Sequence, residues 1–166
     1  GEVIDYVGGI RDLRDRVIRA IGTPRARFTE DKLRMLRAVR FAARFDLTWD
    51  PETEQALKEM ACQITVVSRE HVRNELQKML TGPAPARALR DLRRLGLLQV
   101  LLPEVTALEG VEQNPLYHPE GDVLTHTIHL FDAAEVPLNP ALAWAALLHD
   151  VGKKHTAAMR KGHNTL

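Results

Sequence analysis

Apolar residues recur at helical spacing along most of the chain. Met35, Leu36, Val39, Ala42 and Ala43 fall on one side of a helix predicted over about 30–45. Thr29 can cap it, and Glu30 and Asp31 suit its positive end. Pro51 can open the next helix, which runs to about Cys62. Ser68 caps a helix over 69–80, with Glu70, Val72, Leu76 and Met79 in the pattern and Gly82-Pro83 beyond it. Leu89, Leu92 and Leu95 mark another over 84–95, stopped by Gly96. Upstream, Gly8-Gly9, Gly22 and Pro24 interrupt a loop-rich stretch with one short helix near 12–21. After a linker over 101–121 a second unit begins. It has a helix over 122–134, a turn bracketed by Pro137 and Pro140, and a buried helix over 141–149. No segment alternates over strand length, so the expected fold class is all-α.

Composition narrows the setting. With 45% hydrophobic and 27% charged residues, the 166-residue chain reads as globular and large enough for a real core. A single cysteine, Cys62, excludes an internal disulfide and a multi-cysteine zinc site, and it fits a cytoplasmic location. No apolar run is long enough to span a membrane, and the first residues are not a signal peptide. The net charge of +1 hides an asymmetry. Residues 1–100 carry 19 Lys/Arg against 14 Asp/Glu, which suits a phosphate-rich partner. Residues 101–150 carry eight acids and no Lys or Arg, and six of the seven histidines lie within 118–163, which suits cations. Solvated faces with no ligand would show the same charges. Both ends of the chain have the look of cuts.

The first helix of the body carries the most pointed chemistry. Arg34, Arg37 and Arg44 lie within about 80° of one another on a helical cylinder, with Arg40 beside them and Asp31 one short step from Arg34. Such a cluster repels itself unless an anion is bound. Arginine offers a fixed fork of donors and aspartate only acceptors. Side by side they can read a base edge that presents an amino donor next to a ring-nitrogen acceptor. Adenine and cytosine show that edge, whereas guanine and uracil show the reverse. The other arginines can hold a triphosphate. An ordinary amphipathic helix with solvated arginines is the plainer alternative.

The order of motifs resembles one family. Asp5-Tyr6-Val7-Gly8-Gly9-Ile10-Arg11-Asp12-Leu13 looks like D-x-x-G-G-x-x-D-L. Residues 30–41 match E-D-x-x-R-x-x-R-A-x-R-F, and Ile21-Gly22-Thr23-Pro24 and Arg27-Phe28-Thr29 precede them in the expected order. Residues 68–76 resemble a neck helix, and Leu97-Leu98 with Leu102-Pro103-Glu104 a body segment. Together these resemble the tRNA nucleotidyltransferases, CCA-adding or A-adding, and the bacterial poly(A) polymerases. The resemblance implies that residues 1–29 end the head and link it to the neck. Residues 30–104 would be neck and body, and 105–166 a truncated HD-type helical region. It implies that Asp31 and Arg34 template the incoming base and that Arg37 and Arg40 contact the same nucleotide, ATP and also CTP, beside an RNA (tRNA) 3′ end. Asp5, Gly8 and Gly9 would belong to a flexible hinge. The family's α/β catalytic head, with paired aspartates holding Mg²⁺ for phosphoryl transfer, would lie upstream. No D-x-D pair occurs in this sequence, so transfer by these residues alone is not expected.

The histidine-rich segment resembles the opening of an HD domain. His126 and the His149-Asp150 pair match its first metal ligands, with a later Gly162-His163 and a final Asp beyond residue 166. Such a set places imidazole and carboxylate around a divalent ion. His129, one turn from His126, fits a bystander, and packing roles for all of them are the plainer alternative. The wording of this segment leans slightly toward the A-adding or poly(A) type. Three functions therefore stand: part of an RNA nucleotidyltransferase, an HD-type metal-dependent phosphohydrolase, or a non-catalytic helical RNA-binding module.

Overall fold

The computed structural model describes residues 4–111 and 121–154. Ten α-helices account for most of the described residues. They are α1 (Gly9–Arg14), α2 (Pro24–Glu30), α3 (Leu33–Phe45), α4 (Pro51–Met60), α5 (Arg69–Leu80), α6 (Pro85–Arg94), α7 (Leu97–Leu101), α8 (Pro103–Thr106), α9 (Val123–Ala133) and α10 (Pro140–Leu148). A 3-10 turn, Ala61–Val66, follows α4. The junction at Tyr117-His118-Pro119-Glu120 and the Gly162-His163 pair lie outside the described residues.

Helix α3 sits at the centre because its apolar stripe is complete. Met35, Leu36, Val39 and Ala42 are fully buried, and the helix packs on both α5 and α6. Helix α2 packs on α4, α6 on α9, α7 on the 3-10 turn, and α10 on α5 and α9. The buried apolar residues form one cluster from Phe28 to Leu147. Fully burying a side chain such as Leu36 contributes roughly 1.5–3 kcal/mol relative to leaving it exposed. The apolar spacing in the sequence is what places these side chains together.

Three expectations need correction. The helix expected over 30–45 is two helices, broken at Asp31-Lys32. Asp31 is extended (φ −148°, ψ 104°), so it ends α2, and its Oδ1 accepts from Leu33 N at 2.9 Å at the start of α3. A short acidic side chain that can satisfy a free N–H makes this break inexpensive. Thr29 lies inside α2 and caps nothing there. The short helix expected near 12–21 is Gly9–Arg14 instead. The residues after it enter a two-strand parallel ladder, β1 (Val17–Ile18) with β2 (Thr48–Trp49), where no strand was expected. Two-residue strands leave no alternation to read. Their cause is tertiary. Thr48 N donates to Arg16 O at 2.7 Å and Asp50 N to Ile18 O at 3.1 Å, tying the chain before α2 to the end of α3.

Polar anchors surround that ladder. Asp50 caps α4 by accepting from Thr53 N at 3.0 Å, and its Oδ1 takes Arg19 Nη1 at 2.6 Å. Arg16 donates to the carbonyls of Phe45 (2.9 Å) and Asp46 (3.3 Å), satisfying the C-terminal end of α3. Helix α6 works as a strut. Arg87 bonds Asp46 and the Leu47 carbonyl, Arg90 bonds Asp132, Arg93 bonds Glu109, and Arg94 bonds Glu54.

Candidate nucleotide-binding site

The break before α3 puts Asp31 just outside the helix that carries the arginines. Its Oδ1 is committed to Leu33 N, while Oδ2 lies 3.6 Å from Arg37 Nη1. Arg34 turns the other way. Its Nη1 donates to Glu30 Oε2 at 2.7 Å and to the Arg27 carbonyl at 3.2 Å. The hydrogen bond from Arg34, with Arg27 alongside, holds the Glu30 carboxyl below its usual range. The structure thus pairs Asp31 with Arg37 and Arg34 with Glu30, where the sequence placed Asp31 beside Arg34.

These contacts leave donors to spare. A guanidinium has five N–H groups. Arg34 uses those of Nη1, and at 3.6 Å the Arg37 contact is an ion pair rather than a hydrogen bond. The side chains of Asp31 and Arg37 keep 38% and 47% of their exposure, so solvent, or a base edge, reaches both. Asp31 and Arg37 thus keep bonding capacity toward solvent, while Arg34 faces Glu30 with donors left over.

Arg40 is not part of it. Its Nε donates to Glu75 Oε2 at 2.7 Å, its guanidinium lies 4.2 Å from the Phe41 ring centre, and only 15% of its side chain is exposed. Glu75 itself is buried and also accepts from Lys78 Nζ at 3.0 Å. Burial pushes its carboxyl up, but the hydrogen bonds and charges of Arg40 and Lys78 outweigh this and hold it below the usual range. Glu75 escaped the sequence reading. The available signal was a carboxylate in line with Val72, Leu76 and Met79 on the buried face of α5, which demands a partner.

The residues expected to hinge form an ordered turn. Asp5 accepts from the backbone of Val7 (3.1 Å), Gly9 (3.0 Å) and Ile10 (2.8 Å), and these bonds, led by Ile10, lower its carboxyl from the usual range. Gly8 sits at φ 79°, where side chains are disfavoured.

At the other end of the chain, one ligand atom each from His126, His149 and Asp150 come within 4.8 Å of one another. His149 Nδ1 faces the Ala146 carbonyl at 2.9 Å, which can only accept, so Nδ1 is the donor in that contact. That Nε2 lies 3.1 Å from Asp150 Oδ2. Asp150 is buried, and Oδ2 has no well-aligned hydrogen bond among the described residues, although Lys153 Nζ is 2.7 Å away. Two imidazoles and a buried carboxylate with an unused lone pair fit a divalent cation.

A largely helical body with half-exposed Asp31 and Arg37 at the start of α3 is the frame within which relatives can be compared. Comparison with known proteins makes this specific. Residues 46–109 match the family described as "Probable RNA and SrmB- binding site of polymerase A". The Multifunctional CCA protein of Halorhodospira halophila is 43% identical over 164 residues, covering 95% of this chain and 39% of that protein. That of Neisseria gonorrhoeae is 42% identical over 159 residues, covering 94% and 38%. The crystal structure of the Bacillus stearothermophilus CCA-adding enzyme in complex with CTP is 33% identical with a TM-score of 0.68, covering 90% of this chain and 34% of that one. The chain is similar to one region of these CCA-adding proteins, as its motifs implied, and spans about two fifths of the length of the curated relatives it matches.

Proposed function

We propose that the chain is the neck and body of a nucleotidyltransferase that adds C and A to the 3′ end of tRNA, with Asp31 and Arg34 selecting the incoming base and Arg37 contacting the same nucleotide. The observation that carries this reading is that Asp31 and Arg37 both keep solvent access at the start of α3, while Arg34 on the same helix retains unused donors. Asp31 Oδ2 would accept from the amino group of cytosine or adenine, and a guanidinium would donate to the adjacent ring nitrogen. Guanine and uracil present a carbonyl to the carboxylate and an N–H to the guanidinium, so the same pair rejects them. Arg40, held against Glu75, would brace α3 rather than touch the nucleotide. Solved relatives bound to CTP, and to ATP at 25% identity and TM-score 0.57, support these two nucleotides as ligands. The relatives' name favours CCA addition over the A-adding or poly(A) alternatives.

Transfer itself needs a metal-bearing head. In-line attack on the α-phosphate uses Mg²⁺ held by paired aspartates, and no D-x-D pair is present in these residues. Asp5 and the Gly8-Gly9 turn are read as the joint between such a head and the neck. No described helix is long and apolar enough to cross a membrane. A cytoplasmic location accords with the one exposed thiol, Cys62. The test is incorporation of radiolabelled CTP and ATP into a tRNA transcript lacking its terminal CCA. The full-length protein should extend it, Asp31→Ala should lose most of the extension, and these 166 residues alone should give none. Robust transfer by the 166 residues would overturn the division of labour.

A second reading stands on a separate observation. His126, His149 and Asp150 would hold a divalent cation of an HD-type site, which supplies a metal-activated water for phosphate esters. Lys153 would have to release Asp150 for the ion to enter. Titration calorimetry with Mn²⁺ or Ni²⁺ should show stoichiometric binding that His149→Ala abolishes. Absence of binding in the unaltered protein would reduce the cluster to a packing role.

A further inference from the structure

We propose that the cavity between α3, α5 and the turn at Val136-Pro137 is a subsite for one backbone phosphate of an RNA strand, held by Arg44 and Lys78; it rests on the transferase reading above. The cavity measures about 420 Å³, and its walls include Arg40, Arg44, Lys78, Met79, Val136 and Pro137. Charge is out of balance there. Arg34, Arg37, Arg40, Arg87, Arg90, Arg93 and Arg94 each face a carboxylate. Arg44 is exposed and has no carboxylate partner among the described residues, and its nearest partner is the Phe45 ring, 5.5 Å from the guanidinium carbon. Lys78 has only a share of Glu75, whose other oxygen is taken by Arg40. Three cations thus divide one carboxylate.

Arg44 and Lys78 stand in the last turns of α3 and α5, where cations commonly offset the partial negative charge of a helix end. That offset is roughly half a charge per helix, so a positive excess survives it. The end of α3 is in any case served by other groups: Arg16 bonds the Phe45 and Asp46 carbonyls, and Arg87 bonds that of Leu47. Arg44 is spare. Met79, Val136 and Pro137 line the cavity beside these cations, and apolar walls strengthen an ion contact made there.

Position favours one anion. Arg44 lies thirteen residues beyond Asp31, roughly 20 Å along the helix axis. A nucleotide whose base sits at Asp31 would have to be almost fully extended to bring its triphosphate there. A polynucleotide running along α3 carries a phosphate at any such distance, so the strand is the better fit. Arginine and lysine contacts of this kind position a strand without reading its sequence.

The test uses the full-length protein, a tRNA transcript lacking its terminal CCA, and the double variant Arg44→Gln plus Lys78→Gln. Both positions are exposed, and a thermal melt verifies that the variant folds. Transcript affinity should fall about 10-fold or more at moderate salt, and the slope of log affinity against log salt should become shallower by about one. KM for CTP and ATP should stay unchanged. An unchanged salt slope in a folded variant overturns the subsite. So does a raised KM for both nucleotides with unaltered transcript affinity, which would assign the cavity to the triphosphate. Binding and its salt dependence are read without turnover, so an inactive protein would sink the transferase reading while leaving this one to its own measurement.

Discussion

Glu75→Gln is expected to lower the unfolding free energy by about 3–5 kcal/mol, the cost of stranding a largely buried charge. The substitution keeps the shape and removes the carboxylate that, among the described residues, faces the Arg40 guanidinium, whose side chain is 15% exposed. Ordinary domains are stable by about 5–15 kcal/mol, so the loss is a large share of the total. Urea denaturation followed by circular dichroism measures it, and an unchanged midpoint would show that Arg40 finds water easily. The double variant Arg40→Met plus Glu75→Leu, which leaves no buried arginine unpaired, should regain most of the loss. The pH dependence follows in sign. Because the folded Glu75 carboxyl titrates below its ordinary value of 4.5, its contribution is present above that pH and is lost as pH falls through the folded value. Glu30, Glu54, Asp122 and Asp132 are shifted the same way, so acid should destabilise the fold cooperatively.

The second large effect concerns base selection. In the full-length protein, Arg34→Ala is expected to reduce discrimination of ATP against GTP by roughly 10- to 150-fold, the worth of one charge-assisted hydrogen bond. Arg37→Ala should mainly raise KM for every nucleotide. The ratios of kcat/KM for the four nucleotides decide it. Equal losses for all four in Arg34→Ala would remove that residue from the reading pair. If Arg37→Ala carries the loss of discrimination instead, the reader is the Asp31–Arg37 ion pair rather than Asp31 with Arg34.

What was legible in the sequence had a period behind it. The buried stripe of α3, the Ser68 cap that accepts from His71 N at 3.3 Å, and the stop at Gly96 with φ 78° all follow from local chemistry. The break at Asp31-Lys32 was not legible, because glutamate and aspartate ahead of an apolar run fit a first helical turn as well as a boundary. The β1–β2 pair depends on residues 31 positions apart, Val17 with Thr48 and Ile18 with Trp49. At the candidate site the residue types were readable, but the partnering was not. Rotation along α3 places Arg40 among the same arginines, yet only the packing of α5 supplies Glu75 and draws Arg40 away. The motif grouped His126, His149 and Asp150, and the fold brings one ligand atom of each within 4.8 Å of the others.

The single cluster running from Phe28 to Leu147 has a bearing on how the molecule can be divided. A cut after Glu104 looks natural by motif, since the residues beyond it carry a different chemistry. It would nonetheless strip α9 from α6 and α10 from α5, uncovering oily side chains on the half that keeps the arginines. Anyone trimming this protein at that point would inherit a sticky, aggregation-prone surface. The histidine-bearing helices therefore serve as a lid on the body's interior, whatever ion they do or do not hold.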